Sequence, residues 1–164
     1  EWRIENVSRS YDMPQLVKGG KHAYGWCRVW EKGRILLPPE ATDEYGFTDP
    51  MKLFMLPGSK KSGGFSVGSS DSISHSPVAA AIKTFPELAK FQLPQGATVE
   101  YQGRRFCWIE LRDGIIQVPP ETLQHYGVQN GDDLLVIRGS NLAVGFAVRG
   151  PIVEEAVVLI VQEE

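Results

Sequence analysis

Apolar residues in this chain fall in short runs separated by turns rich in glycine, proline and aspartate. "CRVWEKGRILLP" (27–38) and "WIELRDGIIQVP" (108–119) each hold two such runs. Lys32-Gly33 or Asp113-Gly114 joins them, the pattern of a β-hairpin in which Gly supplies a positive φ. Pro38-Pro39-Glu40 and Pro119-Pro120-Glu121 follow, and predict a short helix. The fixed φ of proline suits the first helical position, and an acid suits the positive helix end. Gly46 and Gly127 are placed to stop that helix after two turns, with positive φ just past its C-terminus. After the turns "FTDP" and "VQNG" come the strands "MKLFML" and "DDLLVI". Gly58-Ser59 and Gly139-Ser140 turn the chain into another strand, ending "GGFSV" and "VGFAV". Pro77 and Pro151 then open a helical pattern, "SPVAAAIKTF" and "GPIVEEAVVLIV".

The two series are one series written twice. A slide of 81 residues aligns Arg28–Val67 with Ile109–Val148 without a gap. Gly33 falls on Gly114, Ile35 on Ile116, Pro38-Pro39-Glu40 on Pro119-Pro120-Glu121, and Tyr45-Gly46 on Tyr126-Gly127. Leu53 falls on Leu134, Gly58-Ser59 on Gly139-Ser140, Gly64-Phe65 on Gly145-Phe146, and Val67 on Val148. Matches at turn residues and apolar positions are matches in what specifies backbone geometry, so the chain is read as a duplicated fold unit. Between the copies, "GSSDSISHS" reads as a polar surface loop and "PVAAAIKTFPELAKF" as a helix interrupted by Pro86. The first 25 residues are weakly patterned and are read as a strand and a loop. The expected organisation is an N-terminal arm (1–25), a first repeat (26–82), a helical connection (83–100), and a second repeat with a C-terminal helix (101–164). The fold class is mainly β with short helices (α+β).

Composition narrows the function without choosing it. In 164 residues, 42% hydrophobic and 23% charged side chains make a globular chain. No apolar run approaches the roughly 20 residues that a bilayer requires; the longest is Ala156–Val161. The first residues carry no signal-peptide pattern, so a cytoplasmic protein without a membrane segment is expected. Cys27 and Cys107 each stand beside a tryptophan in an apolar stretch and read as reduced core thiols. His22, His75 and His125 show no ligand spacing with either cysteine, so neither a metal nor a cofactor is expected.

The order of strand, "GRILLP" or "GIIQVP", short helix ending in Tyr-Gly, polar turn and strand resembles the AbrB/SpoVT/MraZ family. The resemblance covers Cys27–Leu56 and Trp108–Ile137, and "GRILLPPEATDEYGF" is its closer copy. It implies a swapped-hairpin β-barrel, which in that family is built by two chains. Two copies in one chain could close it alone, with a pseudo-twofold axis inside the molecule. Exchange of units between chains, giving a homo-oligomer, is the alternative left by the long connection.

The resemblance also implies a DNA-binding transcription regulator with duplex DNA as partner. Phosphate neutralisation would supply most of the affinity, but the charge is divided. The chain carries 17 basic and 20 acidic side chains, net −3. Residues 21–67 hold seven Lys/Arg against five acids, residues 101–150 five against five, and the last fourteen residues four glutamates and no base. A local stripe can suffice, and the candidates are Arg28, Lys32 and Arg34 on the first hairpin and Arg104, Arg105 and Arg112 on the second. Arg34 occupies the family's Gly-Arg position; Ile115 takes that place in the second copy, and Arg112 aligns with Glu31. The plainer reading of all six is solvated strand cations.

Two other binding readings compete. The barrel could serve as a protein-interaction or antitoxin-like module, with "PIVEEAVVLIVQEE" against a partner; alternatively Ile152, Ala156, Leu159 and Ile160 cover the protein's own barrel. A small anionic ligand could bind at the shared "GS…GF" stretch, beside Arg149 and the helix opened by Pro151, with His75 or Ser76 near Pro77 as the first copy's counterpart. Catalysis is not expected. The chain has no nucleophile elbow, phosphate loop or GxGxxG, Ser59 and Ser140 lack a motif-placed base, and Glu40 and Glu121 are explained by their helix starts.

Overall fold

A computed structural model of the protein describes residues 16–17, 21–140, 142–154 and 156–157. Most of the expected N-terminal arm, and Leu159 and Ile160 of the expected C-terminal cover, lie outside the described residues. The strands are β1 (Leu16–Val17), β2 (Lys21–Arg28), β3 (Arg34–Leu36), β4 (Met51–Pro57), β5 (Phe65–Ser69), β6 (Val99–Tyr101), β7 (Arg104–Arg112), β8 (Ile115–Gln117), β9 (Asp133–Arg138) and β10 (Val144–Ala147). The helices are α1 (Pro39–Glu44), α2 (Ser70–Ile73), α3 (Ala79–Thr84), α4 (Pro86–Ala89) and α5 (Pro120–His125). Residues 151–154 and 156–157 are helical as well.

The strands pair antiparallel in the order β1-β2-β9-β10-β5-β4-β7-β8-β3, with β6 added to β7. A bridge between Trp30 and Arg34 carries the path from β3 back to β2, so eight strands make a nearly closed barrel. Hairpin pairs of consecutive strands are joined by long-range ones: β2 lies on β9, β4 on β7, β5 on β10 and β3 on β8.

Burial explains the composition of the strands. In β4 and β9 the runs Leu53–Leu56 and Leu134–Ile137 are buried at every position. Leu53, Met55, Leu134 and Val136 point into the barrel with Phe65, Phe146, Ile35 and Ile116. Phe54 and Leu56 point outward, where Ile73, Ile82 and Leu88 of α2, α3 and α4 cover them. Leu135 and Ile137 are covered by Ala156, Ile152 and Val153. A strand packed on both faces reads as a continuous apolar run, where one wet face would give alternation. Cys27 and Cys107 point into the barrel, while Trp26 and Trp108 point out of it.

The helix ends follow their sequences. Pro39 and Pro120 start α1 and α5. Gly46 and Gly127 follow their C-caps with φ of 69° and 73°. Phe47 N–H donates to Thr42 O and Gly46 N–H to Asp43 O, and Val128 to Leu123 with Gly127 to Gln124 repeats the arrangement. These are Schellman motifs, which satisfy the last carbonyls of each helix.

Two expectations need correction. "GSSDSISHS" is no plain loop: Ser69 Oγ accepts from Ser72 N–H at 3.1 Å and starts α2, whose Ile73 is buried. A serine that frees itself from β5 to bond a backbone amide is a helix start as readily as a loop residue. The ungapped alignment also fails in the first hairpin. Leu53 pairs Ile109, but Leu134, 81 residues later, pairs Cys27, which is 82 residues before Ile109. The additional residue sits in the turn Glu31–Gly33, three residues long against two at Asp113-Gly114. Across these turns Trp30 meets Arg34 and Arg112 meets Ile115, so the position matching Arg112 is Trp30, not Glu31.

Candidate nucleic-acid interface

The predicted hairpin residues form tight left-handed turns. Lys32 and Gly33 have φ of 63° and 70°, and Asp113 and Gly114 have 56° and 76°. Two successive positive φ values let a turn match the right-handed strand twist, which explains Gly at the second position of both. Gly33 answers a further demand: a Cβ there would lie 1.9 Å from the carbonyl oxygen of Val118.

The hairpins hold each other. β3 pairs β8 with Ile35 opposite Ile116. Beyond the ladder, Val118 N–H donates to Gly33 O at 3.0 Å, and Leu37 N–H donates to Gly114 O at 2.9 Å. Asp49 braces the second tip, its carboxylate oxygens accepting from Asp113 N–H at 2.8 Å and Gly114 N–H at 2.7 Å. Such charge-assisted bonds are stronger than neutral ones. Sequence reasoning passed over Asp49, since nothing local marks a residue that works 64 positions away.

The outer face of this ribbon carries four of the six candidate cations or sits beside them. Ile35 and Ile116 point inward, so strand alternation turns Arg34, Leu36, Ile115 and Gln117 outward. Pairing places Trp30 beside Arg34 and Arg112 beside Ile115 on the same side. Arg34 and Arg112 stand two strand spacings across and two residues along from each other, about 12 Å. Arg28 ends β2 with Nε 3.0 Å from Asp133 and its guanidinium 5.8 Å from the Trp30 ring centre. Arg112 forks onto Glu110 at 3.1 and 3.2 Å, an exposed pairing that raises its pKa. Among the described residues, Lys32 and Arg34 make no ion pair.

Arg104 and Arg105 are elsewhere. They open β7 and Arg112 closes it, eight residues of strand that span about 26 Å. Arg104 donates to Pro57 O at 3.3 Å, and Arg105 pairs with Glu100 at 3.4 Å. The hairpin tip and the strand start lie at opposite ends of the barrel, which proximity in sequence conceals.

A separate polar cluster docks α1 on the barrel wall. Arg138 holds both oxygens of Glu44, Tyr24 O–H donates to the same carboxylate, and buried His22 meets Glu40 at 3.0 Å. The bonds from Arg138 and Tyr24 hold the Glu44 carboxyl down at about 2. Burial, and then the bond to Glu44, pushes the Tyr24 hydroxyl up. The residues 81 positions from Glu44 and Arg138 are His125 and Pro57, so the 81-residue slide does not repeat the cluster.

Among the described residues no helix is long and apolar enough to cross a membrane. Comparison of the chain with known proteins finds no matching family model, no matching curated protein and no matching solved structure.

Proposed function

We propose that this chain is a DNA-binding transcription regulator of the AbrB-like type, its swapped-hairpin barrel built from two copies within one polypeptide. The observation that carries the reading is the mutual hold of the two hairpins. Gly33 accepts from Val118 and Gly114 from Leu37, a pair of bonds that the 81-residue slide converts into one another. The same slide exchanges Ile35 with Ile116, which pair across β3 and β8. It exchanges Phe65 with Phe146, which pair across β5 and β10 with rings stacked at 4.8 Å. Self-paired positions at two places are what a twofold axis through the barrel requires.

The DNA-facing surface in this reading is the outer side of β3 and β8, where Lys32 and Arg34 reach phosphates directly. Arg28 and Arg112 join them by exchanging exposed partners. Such surface pairs are worth only about 0.2–1 kcal/mol, so a phosphate competes with Asp133 or Glu110 on equal terms. Binding should be tested by fluorescence anisotropy with a labelled duplex at several salt concentrations. The wild type should bind with a marked salt dependence. An Arg34→Ala, Arg112→Ala double variant should flatten it by about one unit for each phosphate it no longer neutralises. Lys60→Ala and Lys61→Ala should matter much less. Negligible binding at low salt by wild type and double variant alike rejects DNA. It would favour the interaction module, which net −3 and three self-paired arginines also suit. Binding unchanged in the double variant would move the surface to another face.

A further inference from the structure

At the end of the barrel away from the hairpin tips, the β4–β5 and β9–β10 turns enclose a cleft of about 570 Å³. Its floor is apolar, with Ile137, Ala143, Ala147 and Ile152, and its rim carries Ser59, Ser62 and Lys61. A smaller lobe of about 210 Å³ adjoins it across Ser66, Ser140 and Ala143, and reaches Arg104. We infer that this two-lobed cleft binds a small carboxylate with an apolar body, the anion at Lys61 or Arg104 and the body over Ile137 and Ile152.

Charge and hydrogen-bond stocks both point to an anion. Among the described residues no acidic side chain lines either lobe, while each lobe has one cation. The rim serines have donors to spare. Ser59 Oγ accepts from Ser62 N–H at 3.1 Å, and Ser140 Oγ accepts from Leu142 and Ala143 N–H at 3.1 and 3.3 Å. Those bonds use the oxygens as acceptors; among the described residues neither hydroxyl donates, so its hydrogen can turn to a ligand. The apolar floor then selects against a bare ion, because a hydrated anion gains nothing over aliphatic side chains.

Arg149, the cation singled out beside this stretch in the sequence, has another task. Its guanidinium donates to Lys60 O at 3.3 Å and fills the space over Gly63, where a Cβ would come within 2.6 Å of Nη1. It holds the turn that presents Lys61. Ser76 and Pro77, the first copy's counterpart, line the smaller lobe.

Carboxylate binding does not depend on the DNA reading, since a chain that ignores DNA would still hold the ligand. The test is calorimetric and NMR titration of the full chain with 3-phenylpropionate and octanoate, alongside 3-phenylpropanol, octan-1-ol and inorganic phosphate. The carboxylates should move the resonances of Ser66, Ala143 and Phe146. Lys61→Gln or Arg104→Gln should weaken that binding by about tenfold, the worth of one charge-assisted bond. Both side chains are exposed, so the variants should fold, and Lys83→Gln on α3 should bind as wild type. Three results would each overturn the site. They are no resonance change at millimolar carboxylate, equal affinity for the matched alcohols or phosphate, and wild-type binding in both charge variants.

Discussion

Glu44 shows how one exposed carboxylate can set part of the acid limit of this fold. Arg138 and Tyr24 hold its carboxyl at about 2 in the folded chain, against roughly 4.3 when unfolded. A folded-state value below the unfolded one means the contribution is complete above the unfolded value and lost as pH falls towards the folded one. The urea midpoint of the wild type should therefore drop between about pH 5 and pH 2 more steeply than that of Glu44→Gln, which has no proton to take up. Parallel curves for the two proteins across that window would remove Glu44 from the account. None of this could be read in the sequence, because Tyr24, Glu44 and Arg138 come from β2, α1 and β9 and meet only in the folded ring.

Glycine substitutions separate two demands that look alike in the sequence. Gly46 needs only its positive φ, since nothing lies within 4 Å of the Cβ that alanine would add. Gly46→Ala should cost about 1 kcal/mol in denaturant unfolding. Gly33 adds the close approach to the Val118 carbonyl, so Gly33→Ala should cost about 2–4 kcal/mol by pushing the two hairpins apart. Equal costs would mean that the close approach is relieved at no expense. The short helices, their proline starts and glycine stops, and the hairpin turns were all legible, because each is decided within a few residues. The extra residue in the first hairpin was not. It shows only as a change of order, Trp26-Cys27 against Cys107-Trp108, that keeps both thiols inside the barrel and both indoles outside. The start of α2 was missed because its serine reads equally well as loop and as cap. The candidate cations split between two ends of the barrel because a nine-residue strand carries Arg104 and Arg112 far apart.

Across the whole molecule, no half owns its own sheet: β2 completes its pairing on β9, and β4 on β7. Opening one half therefore exposes the other, and the two buried thiols report it. Burial raises both thiols, pushing Cys107 up to about 12, so reaction with a thiol reagent at neutral pH must wait for unfolding. Cys27→Ser and Cys107→Ser variants, each with one thiol left, should be labelled with the same opening free energy, equal to that from urea unfolding. One thiol reacting well ahead of the other would mean that the halves open separately. The interleaved ring also has a history in time. Arg28 leaves the ribosome 105 residues before Asp133, its partner across β2 and β9, an interval of about 5–20 s at ordinary rates of synthesis. For most of it β2, β3 and the far edge of β4 wait for partners, since β7 and β8 emerge only late and β9 last. Their apolar faces stand open to neighbours on the same message. The nascent first half is the stage at which this protein most needs a chaperone, and a pause in translation there would expose it longest.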